Sequence, residues 1–279
     1  SLRLSERLGT ADVVARARQA VGTSLLALGH HKEAERALRS AAKAWQEAAD
    51  ALGFGTSLVI HGELNYAIGR PGRSEEPLRE AITLAERHGD RALLAHALLA
   101  QGMVAFGRGN GVAALGSLDA SEGEFRAIQA RPGLSRCLST RTEVAWWLGE
   151  LATVYRGIEE ATRVAKETEL RMSLAQARLV SGFLDQELGR WDDAAATFEE
   201  VVSLTSRPGY SELTAAARVG RAWVALGRGD PGSALDWLRL PRKRSKGGWC
   251  QTLLACKAWA LAALGQIEEA QETIRSIED

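Results

Sequence analysis

The stretch SGFLDQELGRWDDAAATFEEV, residues 181–201, decides the fold. Apolar residues recur at helical spacing as far as Leu188, Gly189 follows, and a second amphipathic run begins at Trp191. Glycine just past a helix end adopts the left-handed backbone that stops a helix at no steric cost. The stretch therefore predicts a helix, a turn and a second helix. VGTSLLALGHHKEAERALRSA, residues 21–41, is built the same way around Leu28-Gly29.

Working outward, the same punctuation recurs along the chain. Gly29, Gly69, Gly107, Gly149, Gly189, Gly227 and Gly265 each follow a large apolar residue, at steps of 40, 38, 42, 40, 38 and 38 residues. Seven residues before each stands a small residue: Gly22, Gly62, Ala100, Thr142, Gly182, Gly220 or Ala258. Glycine in mid-helix costs roughly 1 kcal/mol relative to alanine, so its repeated use asks for close approach of a paired helix. Five residues after each come Ala34, Ser74, Val112, Val154, Ala194, Gly232 and Ala270, expected where the second helix crosses the first. In the sixth unit Asp230-Pro231-Gly232 lengthens the turn, and Ala234 is a candidate for the crossing position.

A small residue, an apolar-Gly turn seven positions on and a small residue five beyond resembles the tetratricopeptide repeat. The resemblance covers roughly residues 11–278, with units at 11–52, 54–89, 91–129, 132–169, 171–207, 211–241 and 248–278; units three and four match least well. It implies an all-α fold, a single right-handed superhelical α-solenoid of about seven helix-turn-helix units over 1–279. Hairpins of this kind cannot bury their apolar faces alone, and stacking completes the core. The long unit is similar to the repeats of large bacterial regulators. Ser1 in place of methionine and the helical C-terminal pattern suggest a piece of a longer multidomain protein.

The resemblance also implies that the first helices line an inner groove. Counting back from each turn glycine places the groove side chains on one helical face. The candidates for partner binding are Glu63, Tyr66, Gln101, Arg136, Glu143, Trp146 (with Trp147 beside it), Gln176, Phe183, Gln186 and Arg221. Aromatic residues and arginine carry much of the binding energy at interfaces, and buried polar groups without partners are costly. For Trp146 and Phe183, packing between units is an equally good reading; for Trp259, packing or an end contact is the better one.

Composition narrows the rest. The chain has 279 residues, 46% apolar and 25% charged, with 35 basic residues balancing 35 acidic ones. A neutral chain lacks the basic excess of a nucleic-acid binder. No run of about 18 apolar residues predicts a membrane span. Cys137, Cys250 and Cys256 form neither a disulfide framework nor a metal spacing, which fits a reducing cytoplasm. Arginine far outnumbers lysine, a hint of a bacterial source. The basic run Pro241 to Lys246 reads as a solvated turn. Gly107-Arg108-Gly109-Asn110-Gly111 lacks the Lys-Ser/Thr of a phosphate loop. His30 and His31 point to different helix faces, His61, His88 and His96 lack ligand spacing, and Asp192-Asp193 and Glu199-Glu200 read as solvated charges. No catalytic constellation, cofactor site or metal site is expected.

The sequence thus predicts a non-catalytic scaffold that binds a protein or peptide segment, within a bacterial signalling protein. Two alternatives keep the fold: the effector-sensing arm of a regulator carrying an NTPase or kinase domain in the same chain, and a self-associating structural module.

Overall fold

The computed structural model describes residues 11–206, 211–239 and 248–278. Among the described residues every regular element is helical: α1 (Ala11–Ala27), α2 (His31–Glu47), α3 (Ala51–Ala67), α4 (Glu75–His88), α5 (Arg91–Gly107), α6 (Gly111–Ala127) and α7 (Arg131–Trp147). There follow α8 (Leu151–Glu167), α9 (Arg171–Glu187), α10 (Trp191–Leu204), α11 (Ser211–Gly227), α12 (Pro231–Trp237), α13 (Gly248–Ala263) and α14 (Ile267–Glu278). A 3₁₀ turn, Pro71–Arg73, precedes α4. The predicted basic turn from Pro241 to Gly247 and the N-terminal residues before Ala11 lie outside the described residues.

Among the described residues the helices pair as seven hairpins. The sequence reads as one continuous body, whereas contacts gather the chain into two compact units, Ser1–Gly157 and Ile158–Asp279, dividing inside α8. In the first unit the odd-numbered helices pack in succession, α1 on α3, α3 on α5 and α5 on α7; in the second, α9 packs on α11 and α11 on α13. This is the stacked-hairpin arrangement of an α-solenoid.

The turns are more regular than the sequence suggested. Left-handed backbone occurs at Gly29, Ala49, Gly69, Gly89, Gly109, Gln129, Gly149, Glu169, Gly189 and Gly229, so a reversal falls every 20 residues over most of the chain. Each closes alike: the Gly29 N–H donates to Leu26 O (3.0 Å) and the His30 N–H to Leu25 O (2.9 Å), which satisfies the carbonyls that a helix end leaves open. The next residue often caps the following helix. Asp50, Asp90, Asn110 and Asp230 accept from the backbone N–H three residues on, at 2.8–3.1 Å, the usual use of Asp and Asn at an N-cap.

Two expected turn glycines are misplaced. Gly107 and Gly227 are the last residues of α5 and α11, and the reversals are at Gly109 and Gly229. Gly107 is glycine for another reason: a Cβ there would stand 2.6 Å from the Tyr66 ring. Moving both turns by two residues restores a 40-residue step from Gly29 to Gly229. It also moves the crossing positions. The small residues facing the second helix of their own hairpin are Gly102 and Ala222, in place of Ala100 and Gly220; Gly220 meets Phe198 of the preceding hairpin. Val112 is 78% exposed while Ala114 is fully buried, and Ala234 is fully buried, as its candidacy required.

The paired positions explain the mid-helix glycines. A Cβ on Gly22, Gly62, Gly102 or Gly182 would stand 2.6–2.8 Å from Leu38, Leu78, Leu118 or Phe198, each sixteen residues on and almost fully buried. Burying such a side chain contributes about 1.5–3 kcal/mol, which outweighs the helix cost of glycine. The fourth hairpin reverses the exchange: α7 carries Thr142, and Gly157 on α8 leaves room for its hydroxyl.

Candidate functional site

On the odd-numbered helices of the first unit, one column of the predicted groove is closed. Val59, Leu99 and Ser139 are buried between successive helices. Gln19, the equivalent residue of α1, accepts from Trp45 Nε1 (2.8 Å) and Ser57 Oγ (2.9 Å). Partly open positions flank this column: Thr56, Glu63 and Tyr66 on α3, His96, Met103 and Phe106 on α5, and Arg136, Glu143, Trp146 and Trp147 on α7.

These side chains meet across two hairpins. Arg136 Nη2 donates to Glu63 Oε1 at 2.8 Å, joining α7 to α3 over the intervening α5. The face therefore curves inward enough for hairpins two apart to touch. His96 lies beside the pair; partial burial and the Arg136 charge lower its pKa, and Glu63 works the other way. Its ring meets Phe125 edge-on, with centroids 4.9 Å apart. The Tyr66 phenol is pushed up to about 12, first by burial and then by the nearby Glu143 carboxylate. Trp146 and Trp147 meet edge to face at 5.0 Å, and Phe106 lies 6.5 Å from Trp147.

Five predicted residues, Glu63, Tyr66, Arg136, Glu143 and Trp146, thus share one face. Gln101 does not join them. It accepts from Ser117 Oγ on α6 at 3.1 Å, on the side where the two helices of the hairpin pack. Its placement followed from the misplaced turn at Gly107. Placing that turn at Gly109 substitutes Met103 and Phe106, which sequence reasoning missed. The missed signal was Gly109 itself, 40 residues after Gly69.

In the second unit Gln176 and Gln186 are partly exposed on α9, and Phe183 is buried at 3% exposure. Phe183 packs against Phe198 (5.0 Å), Trp223 (6.1 Å) and Trp249 (5.5 Å, stacked), so it is part of the core. Arg221 also leaves the groove set. It donates to Glu199 of α10 at 2.9 Å and lies 5.3 Å from the Trp237 ring of α12, on the side of the second helices. Trp259, for which packing or an end contact was expected, is 59% exposed.

Nothing among the described residues gathers three metal-ligating side chains, and no described helix is long and apolar enough to cross a membrane. An open depression of about 430 Å³ lined by Glu35, Arg36, Arg39, Ser40 and Lys43 lies on α2, away from the face described.

Stacked hairpins, a 40-residue period and buried small-residue crossings define a helical-repeat solenoid. Residues 184–245 and 251–276 match family profiles described as Tetratricopeptide repeat, so these segments carry tetratricopeptide repeats within a solenoid fold that runs along the described residues. Segments 20–65 and 53–104 also match the profile of anaphase-promoting complex subunit 5. No curated protein matches the sequence. Among solved structures, the fold is similar to that of a Rap protein complexed with competence and sporulation factor (TM-score 0.74, 14% identity, covering 96% of this chain and 74% of that one). It is also similar to NprR in complex with its cognate peptide NprX (TM-score 0.66, 12% identity, 94% and 77%). A third similar structure is a signal-transduction ATPase of Pyrococcus horikoshii with a tetratricopeptide-repeat sensor (TM-score 0.63, 12% identity, 99% and 45%). This chain spans less than half of that ATPase.

Proposed function

We propose that the chain is a non-catalytic scaffold that holds a peptide or protein segment against the odd-numbered helices, within a bacterial, cytoplasmic signalling protein. The observation that carries the reading is the inward-curving face of α3, α5 and α7, where Glu63, Arg136 and Glu143 stand among Tyr66, Phe106, Trp146 and Trp147. Trp147 is 52% exposed there. A large ring left open beside charged groups costs a free protein favourable burial, and such combinations dominate binding energy where they occur. Two solved structures of similar fold are complexes, one with a cognate peptide and one with competence and sporulation factor, which supports a ligand-holding role for this fold. The buried free thiols Cys137 and Cys256 support a reducing compartment.

The similar ATPase with a repeat sensor favours a second reading, in which the same face senses an effector for a regulatory domain in the same protein. Both readings place the ligand at the same residues, so one experiment tests the site. Peptides selected from a random dodecamer display library on the wild-type chain should lose tenfold or more in affinity on Trp147→Ala, with the helical circular dichroism unchanged. Undiminished binding to Trp147→Ala and Glu143→Ala overturns the assignment of the face.

A further inference from the structure

The outer side of α2 carries a charge pattern that the binding face does not use. Ala34, Leu38, Ala41, Ala44 and Trp45 fix the buried side of this helix. The opposite side presents Lys32, Arg36, Arg39 and Lys43, spaced i, i+4, i+7 and i+11, and all four are exposed. At 1.5 Å per residue they form a basic stripe about 16 Å long.

The repeat supplies its own comparison. Taken at steps of 40 residues, the charged residues at the same four positions are Glu76 and Arg79 in the second hairpin and Asp119 in the third. They are Arg156, Glu159 and Arg163 in the fourth, and Asp192 and Glu199 in the fifth. The outward positions lie away from the core, so stacking does not dictate their charge. Of these five hairpins, the first alone has all four positions charged with one sign.

The stripe is only weakly neutralised from within. Arg39 pairs with Glu35 at 2.8 Å, and Lys43 lies 3.7 Å from Glu47. Both pairs are exposed, so water and salt screen them. Lys32 and Arg36 have no ion-pair or hydrogen-bond partner among the described residues. Arg36, Arg39 and Lys43 line the open depression of about 430 Å³, with Glu35 as its one acidic residue. Guanidinium groups donate to carboxylates in a fixed fork, and carboxylates on a helix recur at the spacing of this stripe. Glu35 and Glu47 beside the stripe oppose a continuous phosphate backbone, and the chain has no basic excess to hold one. Separate carboxylates can be matched to the cations one by one.

We propose that the outer side of α2 docks an acidic helical segment of a partner protein, whose carboxylates pair with Arg36, Arg39 and Lys43. This surface is distinct from the face of α3, α5 and α7 and stands independently of it. The test enriches display-library dodecamers on the wild-type chain and depletes them on Arg36→Glu/Lys43→Glu. The surviving peptides should carry carboxylates at helical spacing and lose tenfold or more in affinity on that variant, with the circular dichroism unchanged. Arg36→Gln/Lys43→Gln should give a smaller loss in the same direction. Arg156→Glu/Arg163→Glu, the same charge change on α8, and Trp147→Ala should both bind within twofold of wild type. An oligothymidine of the same length should bind at least tenfold more weakly than the peptides. An equal loss on the α8 variant would reduce the effect to overall charge and overturn the proposal. So would peptides whose affinity survives replacement of every Asp and Glu by Asn and Gln, or tighter binding of the oligothymidine at the same residues. Failure to recover any peptide that distinguishes wild type from Arg36→Glu/Lys43→Glu also overturns it.

Discussion

At the scale of single residues, three reversals are made by the wrong kind of residue. Ala49, Gln129 and Glu169 hold φ of 54°, 55° and 56°, where their neighbours in the 20-residue rhythm use glycine. The left-handed backbone costs a residue with a Cβ roughly 1–2 kcal/mol. Glycine relieves that strain but gives back roughly 0.4–1 kcal/mol in unfolded-chain entropy. Replacing all three with glycine is therefore expected to stabilise the protein by about 2 kcal/mol in total. Urea denaturation followed by circular dichroism should show a higher midpoint for the triple variant. A lower midpoint would mean that these side chains make contacts worth more than the strain. The Glu63–Arg136 pair belongs to a different class. Both side chains are partly exposed, so the pair contributes about 0.2–1 kcal/mol at most, and its importance lies in bringing hairpins two and four together on the proposed binding face.

At the scale of the element, the repeat was legible because it is written in small residues. Gly22, Gly62 and Gly182 each leave space for one large residue sixteen positions on, and that signal does not depend on tertiary context. The register of the third and sixth units was not legible. Each contains two glycines two residues apart, and the first follows an apolar residue as a turn glycine should. Only packing tells them apart: Gly107 makes room for Tyr66 of α3, and Gly227 makes room for Trp191 of α10. The site inherited the error, which is why Gln101 and Arg221 were assigned to the groove and Phe106 was passed over. Phe183 takes the packing role that the sequence left equally open. Its position on α9 corresponds to Glu63 and Glu143, but the rings of Phe198, Trp223 and Trp249 close over it. A pair of substitutions checks the corrected register. Leu118→Ala empties a site at 0% exposure and should cost about 2–5 kcal/mol. Val112→Ala, at 78% exposure, should change stability by less than about 0.5 kcal/mol. Thermal melts of the two variants would show the register wrong if Val112→Ala proved the more damaging.

At the scale of the molecule, the decisive property is that contacts are local. In a stack of hairpins each unit touches its neighbours, so stability is a sum of unit and nearest-neighbour interface contributions. The two compact units, dividing inside α8, sharpen that expectation. A cavity in one hairpin should loosen that hairpin and those beside it without melting the whole chain. Leu118 packs against Gly102 within the third hairpin, and the Cys137 thiol of α7 donates to its carbonyl at 3.3 Å. Its truncation should therefore raise amide exchange in α3 to α7 first. Native-state hydrogen exchange read by mass spectrometry can follow every helix at once. The expected pattern for Leu118→Ala is faster exchange across residues 51–147, with protection in α9 to α11 within twofold of wild type. Uniform acceleration over all hairpins would mean a single cooperative body. The proposed binding face spans α3, α5 and α7, so a ligand seated there should reverse the pattern and slow exchange in hairpins two to four. The same local contacts that confine damage to a few hairpins would let a bound peptide stiffen them selectively.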